Sequence, residues 1–598
     1  MRAADYIMNF LQNLGVEHVF YVAGGGAMHL NDALGMSSLE GICMLHEQGA
    51  AIAAEAYGRI RNGYGVCLVT SGPGGTNALT GLVGAYMDSS PVIFLSGQVK
   101  RADLRENAVA GCRGEGILRQ FGIQEVDIIP MAKPYAKYAV RLKSADDVRY
   151  ELEKAASLAK QGRPGPVWLD VPLDIQAQEI EPENLRSYEP TVEAHPIKVA
   201  VRDEIIARYK AAKRPLILLG NGIRLAGAEK EARELCELLG APVQVSWNGF
   251  DLLEESHPLY AGSPGIIANR ADNIIVQQAD FVLTIGARLG LLTTGFNFAS
   301  FMGKAFHVMV DIDPLELRKK NLHPNIALQA DAGEFVRELL KCRSELQGGE
   351  HGSWLEHCRE LRRQYPAFIS EQEPHAGYVS NYCLIRGISD QLTADDVYQL
   401  TSSGTTVDIA MKSLRVKRGQ RAFNTKGLAA MGYDIPACIG SAIGSGRRVV
   451  CVTGDGSSAM NMQELEVIHR LNLPVKLFIS DNQGYAMIYG SQNGNFKGHL
   501  TGCTEESGLT LPDLGKIAEA FGIHVLRLED EEHMTGVIGE ALEYDGPVVC
   551  VVRTDITQKI LPKQANYMKP DGQMESRPLD DMAPLLPREE YERLGIHE

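Results

Sequence analysis

Two short polar turns carry residue types that could do chemistry. Residues 452–461 read VTGDGSSAMN and residues 480–488 read SDNQGYAMI, so that Asp455 and Asn482 stand 27 positions apart. A carboxylate and an amide oxygen are ligands that a hard cation such as Mg²⁺ accepts, with backbone carbonyls and further oxygens completing its shell. Gly454, Gly456 and Gly484 let main chain approach phosphate closely, and Ser457 stands in the first of the two turns. Alone, either turn reads more readily as an ordinary bend than as a site. The pair at this spacing is the more specific signal.

The elements that must position these turns are legible around them. RVVCVT and VKLFIS are short apolar runs rich in Val and Ile that stop at the two turns, as buried parallel strands do. MNMQELEVIHRLN between them has helical spacing, and a helix starting near Asn461 would aim its amino end at an anion. Both turns then lie at carboxyl ends of neighbouring strands, where open α/β sheets bind ligands. A third candidate is Glu47 in LHEQGAAIAAEAYGR, at a strand-to-helix turn. An amino-terminal helix glutamate favoured by the helix dipole is its plain alternative. Glu55, further along that helix, reads as solvated or paired.

Strand-like and helix-like segments alternate through three blocks, which predicts an α/β protein of three parallel-sheet domains. The expected divisions are 1–178, a Glu- and Pro-rich linker 179–199, a second block 200–345, a linker 346–374, a third block 375–555, and a wrapping arm 556–598. No internal repeat is visible.

Composition narrows the partners. The chain has 598 residues, 45% hydrophobic and 22% charged, ordinary values for a soluble globular protein. Its net charge of −16, without a Lys/Arg run, argues against nucleic acid and anionic membranes as partners. The 11 cysteines are scattered singly with no Cys-x-x-Cys pair, which points to a reducing compartment and no zinc site. No apolar run is long enough to span a bilayer, and the amino terminus is unlike a signal peptide. The expected location is the cytoplasm.

The sequence Gly-Asp-Gly, then 24 residues, then Asp-Asn followed by Gln-Gly-Tyr resembles the thiamin diphosphate motif, with Asp481 where Asn is usual. With GGGAMHLNDAL, TSGPGGTNALTG, IGARL, VDIDP and LAAMGYDIPACIG, the chain resembles the acetolactate synthase family over nearly its whole length. The resemblance implies that Asp455, Asn482 and the Gly484 carbonyl hold Mg²⁺ against the diphosphate, beside Gly454, Gly456 and Ser457. It implies that Glu47 bonds N1′ of the aminopyrimidine and favours the imino tautomer, placing a base beside thiazolium C2. A well-placed acid/base group of this kind contributes ~10²–10⁴-fold. It implies that Met431 bends the cofactor, that Gln98 and Gln124 stand near the substrate, and that Lys137 lies near its entrance. It further implies a homodimer, or a dimer of dimers, in which Glu47 of one chain serves the Asp455 and Asn482 site of the other.

In the middle block, RPLILLGNGI, IGARL, VDIDP and QADA each follow an apolar run. A lone Gly-x-Gly is weak evidence for a nucleotide. In this order the segments resemble the FAD-binding domain of acetolactate synthases, which implies flavin contacts at Gly220, Gly222, Gly286, Arg288, Asp311 and Asp331. After IGAR the family usually has charged residues, whereas this chain has LGLLTTGFN.

Other departures bear on the substrate. Ser491 stands where the family has a Trp that narrows the acceptor pocket. Thr405 and Thr406 replace a Gln-His pair at the diphosphate end, and His29 stands near Gly26 where Pro is frequent. The expected function is thiamin diphosphate-dependent decarboxylation of pyruvate or a close 2-oxo acid. The acyl carbanion would pass to a carbonyl acceptor larger than pyruvate, such as a keto nucleotide sugar. The alternatives are a genuine acetolactate synthase and a flavin-dependent oxidase or simple decarboxylase.

Overall fold

The computed structural model describes residues 1–108, 118–191, 194–347, 351–368, 372–373 and 375–596. Three parallel sheets organise them. The first contains β1 (His18–Tyr21), β2 (Glu40–Cys43), β3 (Gly65–Val69), β4 (Val92–Gln98), β5 (Tyr138–Arg141) and β6 (Val167–Pro172), in the order β2-β1-β3-β4-β6-β5. The second contains β7 (Pro215–Leu219), β8 (Val243–Val245), β9 (Phe281–Ile285), β10 (Phe306–Asp311) and β11 (Ile326–Gln329), in the order β11-β10-β9-β7-β8. The third contains β12 (Val397–Gln399), β13 (Arg421–Phe423), β14 (Val449–Gly454), β15 (Val475–Asp481), β16 (His524–Leu528) and β17 (Val548–Arg553), in the order β13-β12-β14-β15-β17-β16. The central strands are buried on both faces, which is why they read as continuous apolar runs rather than alternating ones.

The first and third sheets have the same strand order, although their sequences show no repeat. The helix that follows β2, Glu47–Arg61, is therefore the counterpart of the helix that follows β13, Asp434–Ser445. These two helices pack on each other. Ala50, Ala53 and Tyr57 from one and Ile435, Cys438 and Ala442 from the other share one core that also takes in strands of both sheets. A helix that is apolar around most of its circumference can bury itself this way between two domains.

Two sequence expectations change. The stretch 346–374 is more than a linker. It contains the helix Gly352–Gln364, whose Trp354, Cys358 and Leu361 recur at helical spacing and join the core of the middle sheet with Leu216 and Ile274. The single helix expected from Asn461 is instead two short pieces, a 3₁₀ turn Met462–Glu464 and the helix Leu465–Arg470, and a separate short helix, Asp455–Ala459, precedes them. The arm after residue 556 lies on the middle domain, where Leu579 is fully buried in the same core and Gln277 donates to Asp580 Oδ1 at 2.9 Å. No helix among the described residues is long and apolar enough to cross a membrane.

Candidate active site

In the third sheet β14 and β15 are hydrogen-bonded neighbours, with Gly454 opposite Ser480. Their ends bring Asp455 and Asn482 together: the Asn482 backbone N–H donates to Asp455 Oδ2 at 3.0 Å, and the Gly456 N–H donates to Oδ1 at 2.7 Å. Asp455 is buried with backbone donors around it and is in no salt bridge among the described residues, and burial pushes its carboxyl up to about 7. Asn482 Oδ1 is buried and has no hydrogen-bond partner among the described residues. A carboxylate short of positive charge beside an orphaned amide oxygen fits a hard cation. No three His, Cys, Asp or Glu side chains converge as a metal cluster among the described residues. A cation here would draw its other ligands from backbone, such as the Gly484 carbonyl, and from a bound anion.

The surroundings form a cradle. A Cβ on Gly456 would lie 2.3 Å from the Tyr485 ring and 3.4 Å from Met431 Cε, so only glycine lets these three meet. Ser457 Oγ accepts from the Gly432 N–H at 3.0 Å, which ties the loop carrying Met431 to the Gly-Asp-Gly turn. Thr405 and Thr406 start the helix Thr405–Ser413 after β12, and Thr406 Oγ1 lies 3.3 Å from Thr401 Oγ1. β12 and β14 flank the point where strand order reverses, so the threonines and Asp455 stand on its two sides.

The first sheet repeats this arrangement with different residues. The Gly26 N–H donates to Thr70 Oγ1 at 3.0 Å, joining the turns after β1 and β3. Glu47 is the first residue of its helix and is half-buried, and its Oε2 accepts from Asn77 Nδ2 at 2.9 Å. His29 is half-buried in the helix Met28–Met36. The main chain of Gln124, at φ +60°, packs against Gly72 at the head of the helix that carries Asn77. Gln98, at the end of β4, is buried and turned inward: its Nε2 donates to the Val126 carbonyl at 2.8 Å and to Asp170 Oδ2 at 3.1 Å. As placed, it braces that carboxylate rather than presenting its amide to a substrate.

Lys137 is corrected. It precedes β5, which puts it at the amino-end edge of the first sheet, opposite the edge that carries Gly26, Gln98 and Glu47. There it donates to the Gln161 carbonyl, and burial, with Arg163 nearby, lowers its ammonium to about 8. Lys137 lines a cleft of about 820 Å³ together with Gly222, Gly286, Arg288, Asp311 and Asp331. Gly220 lies behind this cleft, where a Cβ would come 2.1 Å from the Gly286 carbonyl oxygen. Arg288 Nε donates to Glu316 Oε1 at 3.2 Å, and Asp331 caps the helix Ala332–Lys341 through the Gly333 and Glu334 N–H groups. Burial pushes the Asp311 carboxyl up to about 6. The cleft opens at the carboxyl ends of the middle strands, as nucleotide sites do.

Ser491 is exposed on the helix Ala486–Asn495, beyond Tyr485, near the exposed Met487 and Ile488. Glu55 is buried, not solvated: it accepts from Tyr433 Oη at 2.9 Å and from Ser90 Oγ at 2.7 Å, and it pairs with Arg59. Asn77, Tyr485 and Glu464 were not singled out in the sequence. Asn77 sits in the Gly-rich segment TSGPGGTNALTG, Tyr485 follows Gly484 directly and Glu464 lies in the run MNMQELEVIHRLN between the two turns, so proximity to a motif is their only signal.

Comparison with known proteins decides the family. The thiamine pyrophosphate enzyme N-terminal TPP binding domain matches residues 1–131, the central domain matches 202–339, and the C-terminal TPP binding domain matches 402–552. The probable acetolactate synthase large subunit of Methanocaldococcus jannaschii is 31% identical, over 96% of this chain and 94% of that protein. The chain belongs to the thiamin diphosphate-dependent acetolactate synthase family. The acetolactate synthase isozyme 2 large subunit of Escherichia coli is 30% identical over 98% of this chain and its own full length. Acetolactate synthase 1, chloroplastic, of Zea mays is 30% identical over 94% of this chain and 86% of its own. Membership makes the chain a thiamin diphosphate-dependent 2-oxo acid carboligase. The cradle at the end of β14 and the turns at the ends of β1 and β3 then belong to the two TPP-binding domains of this family.

Proposed function

We propose that the chain decarboxylates pyruvate, or a close 2-oxo acid, and transfers the two-carbon acyl unit to a carbonyl acceptor larger than pyruvate, such as a keto nucleotide sugar. The observation that carries the reaction class is the orphaned Asn482 oxygen beside the cation-poor Asp455 carboxylate. Asp455, Asn482 and the Gly484 carbonyl would hold Mg²⁺, with Ser457, Thr405 and Thr406 toward the diphosphate and Met431 against the cofactor's bend. Thiamin diphosphate supplies a nucleophilic carbon that adds to the 2-oxo acid and stabilises the charge left when CO₂ departs. Glu47 would hold a proton at the aminopyrimidine, with Asn77 fixing the orientation of its carboxylate.

The size of the acceptor rests on Ser491, a small polar side chain on an exposed helix where a Trp would narrow the approach. Gly26 and His29 would line the opposite wall. The names of the relatives favour a second reading, in which pyruvate itself is the acceptor. The middle cleft would take FAD, with Asp311 toward ribose and Arg288 toward phosphate, because five of the expected flavin positions line it together. We place the enzyme in the cytoplasm, as a homodimer or homotetramer with sites shared between chains. Incubating the protein with pyruvate alone and then with added ketones, and reading products by mass, separates the readings. A rate of acetolactate formation that no added ketone competes with would establish the second.

A further inference from the structure

The segment that delivers Glu47 is held from the other cofactor-binding domain of the same chain. Residues 43–46 leave β2 and reach the helix that Glu47 begins, and their main chain is gripped at three points. Glu464 accepts from the Leu45 N–H through both carboxylate oxygens, at 3.3 and 3.2 Å, and from the His46 N–H at 2.9 Å. On the other side, Arg470 Nη2 donates to the Cys43 carbonyl at 2.6 Å. The fit is tight: a Cβ on Gly49 would stand 2.5 Å from Glu464 Oε1, so glycine at that position is what admits the carboxylate.

This contact joins the Gly-Asp-Gly turn to the Glu47 segment of the same chain, which in the dimer proposed above serve the two different cofactor sites. Glu464 is fully buried and lies in the 3₁₀ turn Met462–Glu464, nine positions after Asp455. Gln463 Nε2 donates to Glu464 Oε1 at 3.5 Å and to Asn461 Oδ1 at 3.0 Å, and Asn461 donates to the Gly432 carbonyl, next to Met431. The same Gly432 donates to Ser457. One run of hydrogen bonds therefore extends from the Gly-Asp-Gly turn to the main chain just before Glu47. The free N–H groups ahead of a helix need acceptors, and a negative charge there is favoured by the helix dipole. Capping alone would be met by any local Asp or Ser. Here the acceptor comes from another domain, so the position of Glu47 relative to the rest of the chain depends on it.

We propose that Glu464 is a positioning residue for Glu47, holding residues 45 and 46 so that the Glu47 carboxylate stands where it can act on the cofactor's aminopyrimidine. This rests on the reading of Glu47 given above. A catalytic group displaced by about 1 Å loses up to ~10²-fold in rate, which sets the size of the expected effect.

The test uses full-length protein loaded with thiamin diphosphate and Mg²⁺, and compares Glu464→Gln, Glu464→Leu and Glu47→Gln. The readouts are hydrogen–deuterium exchange at C2 of the bound cofactor, followed by quenched-flow proton NMR, and cofactor affinity by calorimetry. Glu464→Gln keeps one acceptor oxygen, so we expect exchange slowed ~10-fold with affinity changed less than about threefold. Glu464→Leu should slow exchange further, toward ~10²-fold. If it fails to fold, the Gln variant alone carries the test. Wild-type exchange in Glu464→Gln, with Glu47→Gln slowed, overturns the proposal and leaves the reading of Glu47 standing. Wild-type exchange in Glu47→Gln overturns both. A loss in the Glu464 variants that tracks lost cofactor binding assigns Glu464 to packing and also overturns it.

Discussion

The Asn482 main-chain N–H reaches Asp455 Oδ2 at 3.0 Å, although the two residues are 27 apart in sequence and follow different strands. Gly454 pairs with Ser480 in the β14–β15 register, so the two turns leave the sheet side by side. The side-chain oxygen of Asn482, whose N–H meets that carboxylate, is buried and unpartnered among the described residues. Asp455→Ala should therefore weaken Mg²⁺-dependent retention of thiamin diphosphate by at least ~10-fold. Calorimetric titration of cofactor at several Mg²⁺ concentrations checks it. Unchanged affinity with unchanged Mg²⁺ dependence would remove the pair from the metal site.

Glu47→Gln should retain thiamin diphosphate but lose turnover by ~10²–10⁴-fold, since an amide cannot exchange the proton that a carboxyl group can. Steady-state rates on pyruvate, with bound cofactor measured separately, decide it. Near wild-type turnover would take Glu47 out of the mechanism.

The purified protein should be yellow, with flavin that is not turned over during carboligation. Asp311→Ala and Arg288→Ala should each lower FAD retention ~10-fold, the scale of one hydrogen bond to a charged group. Flavin absorbance per chain after gel filtration reads this out. A colourless protein that ignores added FAD would defeat the assignment, and flavin reduced in step with pyruvate consumption would favour an oxidase.

Ser491→Trp should suppress transfer to a bulky ketone more than it suppresses acetolactate formation, because a large aromatic wall narrows the approach to the carbanion. Product ratios from competing acceptors measure it. An unchanged ratio would show that Ser491 does not face the acceptor.

The pH dependence of stability should carry a contribution from His307, buried in β10 with its Nε2 3.1 Å from Thr284 Oγ1. Burial lowers its imidazolium to about 4. The unfolded chain binds this proton near pH 6.5 and the folded chain does not, so the stabilisation is complete above 6.5 and is lost as pH falls toward 4. The loss amounts to up to about 3 kcal/mol. Thermal unfolding of wild type and His307→Gln at pH 7 and pH 5 should show a smaller drop in the variant. Equal drops would assign the acid lability to other groups.

What the sequence determined by itself was local. The runs before Asp455 and Asn482 are continuous, β-branched and closed by Gly, Asp and Asn, so buried parallel strands with ligand turns at their carboxyl ends followed from short-range pattern alone. Glu47 as the first residue of a helix followed in the same way, from a strand-like run meeting an Ala-rich one. The tertiary structure decided which of these local pieces meet. Lys137 reads as any lysine between two segments, and only the parallel pairing of β5 with β6 puts it at the far edge of its sheet, on the cleft of the middle domain. Trp354 and Leu361 needed the middle core to become part of a domain rather than a linker. The matching strand orders of the first and third sheets left no trace in residue identity, because a core requires apolar volume and not particular side chains. Glu55 and Glu464 sit in ordinary helical patterns. Whether such a glutamate faces water or a neighbouring domain's N–H and hydroxyl groups is set by contacts hundreds of residues away in the chain, as with Tyr433 and Leu45.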